Sequence, residues 1–164
     1  MTYQCPICGQ AHDELPDLAF RWPDQGLAVP ESERATRIKG NAETCVVDGK
    51  SFFLRGVILV PITGTSGHLG IGAWVSQSPE NFQTYLKNFQ TRGIGPFFGW
   101  LCNSIPFYKS HTWDMKAALH FPGGNGRPVI ELAPSDHPLY ADYSKGITLD
   151  KAWSIAHARV PQSA

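Results

Sequence analysis

An excess of charge of either sign is missing from this chain. Lys plus Arg number 14, and Asp plus Glu number 14. That balance leaves no electrostatic footprint for nucleic acid or for an anionic membrane surface, so neither partner is expected. No apolar run reaches the length needed to span a bilayer. The opening Met1-Thr2-Tyr3-Gln4-Cys5 lacks the basic and apolar regions of a secretory signal. Cysteine is scarce, at four, too few for a dense disulfide framework. These absences lead to the expectation of a cytoplasmic protein with reduced thiols. Catalytic signatures are missing too. The glycine-rich stretch from Gly64 to Gly72 lacks the Gly-Lys-Ser/Thr ending of a phosphate loop, and a strand-like run follows it rather than a helix. No His-Glu-x-x-His pair marks a catalytic zinc. Asp136-His137 has no serine or cysteine nucleophile that can be set beside it, so a triad is unsupported.

Aromatic residues, by contrast, are plentiful. Nine Phe, five Trp and five Tyr sit in 164 residues that are 42% hydrophobic, enough for one domain with a core of its own. We therefore read 1–164 as a single domain, with a metal-knuckle segment at 1–14 and a body at 15–160.

The knuckle is Cys5-Pro6-Ile7-Cys8-Gly9-Gln10-Ala11-His12. Two cysteines two residues apart can turn both sulfurs to one point, and Gly9 permits the tight turn after them. His12 follows within reach. Zinc favours a tetrahedron of thiolate and imidazole donors, so Cys5, Cys8 and His12 are three candidate ligands. Cys45, just before the apolar Val46-Val47, is the expected fourth, with Cys102 and the other histidines behind it. An open fourth position would make the metal catalytic. A single Cys-x-x-Cys also fits a redox dithiol.

Along the chain, Leu18, Phe20 and Trp22 alternate with Ala19 and Arg21 as a short strand would. Residues 30–39 open with Pro30 and acidic residues, a short helix ended by Gly40-Asn41. Asp48-Gly49 predicts a hairpin turn between Cys45-Val46-Val47 and the long run Ser51 to Ile62. A loop leads into a strand from Ile71 to Gln77. Ser78-Pro79-Glu80 predicts a capped helix over 79–91 with Phe82, Tyr85, Leu86 and Phe89 on one stripe. Gly95 to Leu101 sets glycines beside aromatics, which serves a groove wall or a bent strand over a core. Thr112 to Phe121 predicts a strand with Trp113, Met115, Ala117 and Leu119 on one side. Arg127 to Leu132 predicts another, with Pro128 marking an edge or a beginning. Asp136 is the expected helix cap before Pro138. Thr148 caps a helix over 148–158 with Leu149, Trp153 and Ala156 inward. The fold class is α+β, a mostly antiparallel sheet of five or six strands flanked by two main helices, with the zinc-knuckle-like segment at its start.

Several stretches together carry a resemblance. They are the Cys5–His12 opening, Cys45-Val46-Val47-Asp48 with Phe52-Phe53-Leu54-Arg55-Gly56, Trp74-Val75-Ser76, Phe98-Gly99-Trp100-Leu101, and Arg127-Pro128 through His137-Pro138-Leu139 to Gly146-Ile147. The chain resembles a bacterial family known as a domain of unknown function, with a CPxCGxxH opening. The resemblance implies a cytosolic bacterial protein and includes Cys45 in the pattern. It implies no activity, substrate or catalytic residue. Leu54 stands where isoleucine is expected.

Three functions remain open at this point. The first is a non-enzymatic interaction module, adaptor or immunity-like, with structural Zn2+ and a protein partner. The second is a small-molecule-binding protein or enzyme with an aromatic pocket near Arg55, Trp74, Trp100 and His137. The third is a zinc-dependent hydrolase, which requires an open metal position.

Overall fold

A computed structural model describes residues 3–4, 9–12, 15–88, 93–124 and 126–158, with the backbone alone for Tyr3 and His12. In chain order the elements are β1 (Tyr3–Gln4), β2 (Ala11–His12), β3 (Leu18–Ala19), α1 (Asp24–Leu27), α2 (Arg34–Arg37), β4 (Ile38–Gly40), β5 (Thr44–Val47), β6 (Ser51–Pro61), β7 (His68–Gln77), α3 (Pro79–Asn88), β8 (Phe97–Trp100), β9 (Lys116–His120), β10 (Val129–Leu132), α4 (Pro138–Lys145) and α5 (Leu149–His157). The class is α+β.

The eleven-residue β6 is the axis of the sheet. One edge pairs antiparallel with β7 over its length, from Phe52↔Gln77 to Pro61↔His68. The other edge is shared. Its first half takes β5, and its second half takes β10, in parallel, at Val57↔Val129. The handover falls at Arg55-Gly56, where Arg55 N donates to Glu43 O and Val57 N to Pro128 O. Gly56 is required there. A Cβ would stand 2.8 Å from both Ile130 Cγ1 and Leu119 Cδ2.

The main path runs β3-β7-β6-β10-β9-β8 within an eight-stranded sheet that also holds β4 and β5. That is wider than the five or six strands expected. It is also mixed, because β3–β7 and β10–β6 are parallel. The far end returns to its beginning. Leu101, just past β8, bridges to Val75 of β7, and Cys102 N donates to Trp74 O. The run β7-β6-β10-β9-β8 therefore closes on itself, which removes a free edge that would otherwise invite pairing with another chain.

Strand alternation sorts the side chains. Leu54, Ile58, Ile71, Val75, Leu119 and Ile130 point inward and are fully buried. Each contributes roughly 1.5–3 kcal/mol. The exposed Arg37–Asp48 pair contributes far less, so this interior carries the fold.

The Asp48-Gly49 hairpin forms as expected, with φ of 54° and 65°. Arg37 reinforces it by donating to both Asp48 carboxylate oxygens, at 2.8 and 2.9 Å. Other expectations need correction. Residues 30–40 form a 3-10 turn (Glu31–Glu33), the single turn of α2, and then β4, because Ile38 to Gly40 find β5 to pair with. Pro128 marks a beginning, one of the two expected alternatives, directly before the internal strand β10, where Val57 uses its carbonyl and the proline needs no donor. Trp113 does not share the face of Met115, because Asp114 at φ 71° breaks the alternation before β9. There are three helices of eight or more residues among the described residues, since α4 joins α3 and α5. On α3, Phe82 and Tyr85 are buried, Leu86 is exposed, and Phe89 lies outside the described residues. On α5 the buried positions are Ala152, Trp153 and Ile155, with Leu149 exposed.

Candidate functional site

The outward face of the closed sheet is covered on one side only. Beside β7 runs the segment from Phe20 to Val29: Phe20 N donates to Gly72 O at 3.0 Å, and Asp24 N to Cys102 O at 2.8 Å. The Trp74 indole N–H donates to Phe20 O at 3.0 Å, and Trp74 is fully buried. Over β8 and β9 no such cover lies among the described residues. Phe98 is 54% exposed and Trp100 is 39% exposed, with their rings 5.3 Å apart, edge to face. Lys116, opposite Trp100 in register, holds its ammonium 5.9 Å from the Trp100 ring. Nearby Trp113, 43% exposed, stacks on His111 at 4.8 Å. Three large aromatic side chains thus face solvent in one area.

A rigid base holds them there. The chain between β8 and β9 is stapled by buried polar side chains. Asn103 Oδ1 accepts from Trp74 N at 2.8 Å, and its Nδ2 donates to Trp22 O at 2.9 Å. Thr112 Oγ1 accepts from Ile105 N at 2.9 Å and donates to Asn103 O. At the tip of this segment Tyr108 donates its hydroxyl to Asp142 Oδ2 at 2.7 Å, and Lys151 donates to Asp142 Oδ1 at 2.7 Å. Burial, then the Asp142 carboxylate, pushes the Tyr108 phenol well above its ordinary range. The segment is thereby tied to α4 and α5.

Two concavities flank Trp100. One, of about 430 Å³, lies between Trp100, Trp113, Lys116 and His137. The other, of about 360 Å³, lies between Trp100, Phe98, Gln77 and Asn81. His137 is engaged at both ring nitrogens. Its Nδ1 accepts from Leu139 N at 2.9 Å and caps α4, so Nε2 carries the proton and donates to Ser110 O at 3.2 Å. The expected cap was Asp136. The imidazole one residue later takes that place because Pro138 fills the first helical position and leaves Leu139 N as the amide within reach.

Of the pocket residues named from sequence, Trp100 and His137 share one concavity. Trp74 and Arg55 lie elsewhere. The Arg55 guanidinium lies over Gly72, where a Cβ would stand 3.2 Å from Nη2. Burial lowers the Arg55 pKa, with the Glu43 charge opposing the shift and the Arg127 charge adding to it. Cys5 and Cys8 lie outside the described residues, as does the His12 side chain. Cys45 is buried opposite Phe53, and desolvation pushes its thiol up to about 11. Among the described residues no three His, Cys, Asp or Glu side chains gather as a metal site. Sequence reasoning missed Phe98, His111 and Trp113 as surface groups. The available signal was in Phe97-Phe98-Gly99-Trp100, where apolar residues occupy both alternating faces of a strand.

A family model for uncharacterised proteins conserved in bacteria (DUF2199) matches residues 4–147. The chain belongs to this family. The DUF2199 match spans the closed sheet, the exposed aromatic area and α4, and ends at Ile147, where the chain bridges to Ile62. Nothing among the curated proteins or the solved structures matches the chain. No helix among the described residues is long and apolar enough to cross a membrane.

Proposed function

We propose that this protein is a non-enzymatic binding module, adaptor or immunity-like, that docks a protein partner on the Phe98–Trp100–Trp113 surface. The observation that carries the reading is the exposure of these three side chains together on a stapled base. Clustered exposed aromatics mark interaction sites, and Trp anchors are enriched where binding energy concentrates. The flanking concavities, of about 430 and 360 Å³, are open to solvent and have room for a partner's side chains. His137 uses its ring nitrogens to hold α4 and Ser110.

Photo-crosslinking in a producing bacterium tests this reading. A benzophenone amino acid at position 98 or 113 captures one defined protein. The same group at the exposed positions of Glu31 and Lys50 does not. Equal capture at all four positions, or none, contradicts the docking surface.

The second part of the proposal is a structural zinc ion held by Cys5, Cys8 and His12, with Cys45 as fourth ligand. Its support is the ligand spacing together with the β1–β2 pairing, Tyr3↔His12 and Gln4↔Ala11, between whose strands Cys5 and Cys8 fall in the sequence. Metal analysis of untagged protein is expected to give one zinc per chain, lost in Cys5→Ser and in Cys45→Ser. Zinc kept in Cys45→Ser moves the fourth position to another donor. No zinc in the wild type, even after reloading, ends this part of the proposal.

A further inference from the structure

The two strands that share one edge of β6 part where they meet. β5 pairs antiparallel from Thr44↔Leu54, and β10 pairs parallel from Val129↔Val57. Both therefore start at the Arg55-Gly56 junction and run away from it in opposite directions. The segments that lead into them, ending in Glu43 and Pro128, leave the sheet at this point. A cavity of about 230 Å³ opens there, lined by Tyr85, Phe121 and Pro128 and by the charged residues Glu43 and Arg127. The Tyr85 and Phe121 rings lie 5.6 Å apart. The Glu43 segment is firmly held. Asn41 Oδ1 accepts from Glu43 N at 2.8 Å and from Thr44 N at 3.0 Å, and Glu43 O accepts from Arg55 N at 3.0 Å.

Glu43 is half-buried and Arg127 is exposed. Neither side chain is hydrogen-bonded or ion-paired among the described residues. Opposite charges thus line one cavity without meeting across it. Burial, then the Glu43 charge, raises the Tyr85 phenol, which puts the carboxylate near that wall. This combination selects the ligand. A lone anion is drawn by Arg127 and repelled by Glu43, and a lone cation meets the reverse. A neutral apolar molecule takes water from both charges and returns nothing. A molecule with both charges close together and an apolar body matches every wall. The cavity is smaller than the ~300–1,000 Å³ of sites for drug-sized ligands, which limits that body to a single side chain. We propose that this cavity binds a free α-amino acid with an apolar side chain, its carboxylate on Arg127, its ammonium on Glu43 and its side chain against Tyr85 and Phe121. The site shares no residue with the docking surface and does not rest on it.

The test is NMR titration of the whole isotope-labelled protein, followed at the Glu43 and Arg127 backbone amides. The probes are valine, leucine and phenylalanine, each with two analogues, one lacking the amino group and one lacking the carboxylate. At least one amino acid is expected to shift both amides saturably at millimolar concentration. Each of its analogues binds at least about tenfold more weakly, the scale of one charge-assisted hydrogen bond. In Glu43→Ala the gap to the analogue without the amino group closes. In Arg127→Ala the gap to the analogue without the carboxylate closes. Neither side chain has a bond within the fold to lose, so both variants should keep the wild-type spectrum elsewhere. No saturable shift with any of the three amino acids overturns the inference. So do analogues that bind as well as their parent, or a gap that survives the matching variant.

Discussion

At the scale of single residues, Gly56 and Gly99 make the closed sheet possible. Gly99 is the stricter, since a Cβ there would stand 2.0 Å from Ser76 O, a backbone atom that cannot step aside. Gly99→Ala is expected to cost about 3 kcal/mol or more. Gly49→Ala, in open space at φ 65°, costs only the left-handed strain, about 1–2 kcal/mol. Urea unfolding of the two variants measures the gap, and equal losses would contradict the tight contact of β8 on β7. The thiols give a second residue-scale prediction. Burial raises Cys45 and Cys102 from an ordinary 9.0 to about 11. The folded state holds these protons more tightly than the unfolded chain. Stability is therefore fully present below pH 9 and falls as pH rises toward 11. Cys102→Ala should flatten the fall between pH 9 and 10, whatever it does to the baseline; Cys45 adds to the fall in zinc-free protein alone, since a zinc-bound thiolate has no proton to lose. Tyr108 resists deprotonation in the same sense and adds its own loss at higher pH. None of these burials was legible in the sequence, where Cys45 was a ligand candidate and Gly99 one of several glycines beside aromatics.

At the scale of elements, local signals were read where local chemistry decides. Asp48-Gly49 gave the hairpin, Ser78-Pro79 the start of α3, and Thr148 the start of α5, whose Lys151 N bonds Thr148 Oγ1 at 3.1 Å. They failed where a distant partner decides. Ile38 to Gly40 are a strand only because β5 lies beside them. Helix α4 starts from a histidine, a residue seldom used as a cap, and its neighbour Asp136 drew the expectation instead. His137→Ala should cost about 1 kcal/mol through the lost cap. His137→Asn should recover most of that, since its side-chain oxygen can also accept from Leu139 N. Asp136→Ala should change stability by under about 0.5 kcal/mol. Thermal melts of the three variants check the order. A larger loss at Asp136 than at His137 would contradict the assignment.

At the scale of the whole molecule, the asymmetry of the outer sheet face explains the candidate site. The same alternation sets Trp74, Phe98 and Trp100 on the outer face, where Trp74 is buried with its indole N–H on Phe20 O while Phe98 and Trp100 stay exposed. Sequence reasoning reached the α+β class from periodicity. It did not reach the closure of β8 onto β7, a contact between residues such as Val75 and Leu101 that no local pattern encodes. The surface follows from that closure, so it was equally hidden. Trp100 stands at its centre, between the two concavities, with its backbone N–H held by Ser76 Oγ at 3.0 Å. The decisive measurement is the affinity of the crosslinked partner, purified, for wild type and for Trp100→Ala. The side chain is partly exposed and its removal leaves the interior intact, so the variant should fold. A dissociation constant at least about 30-fold weaker, the scale of a central aromatic anchor, is the predicted result. An affinity unchanged by Trp100→Ala would contradict the account.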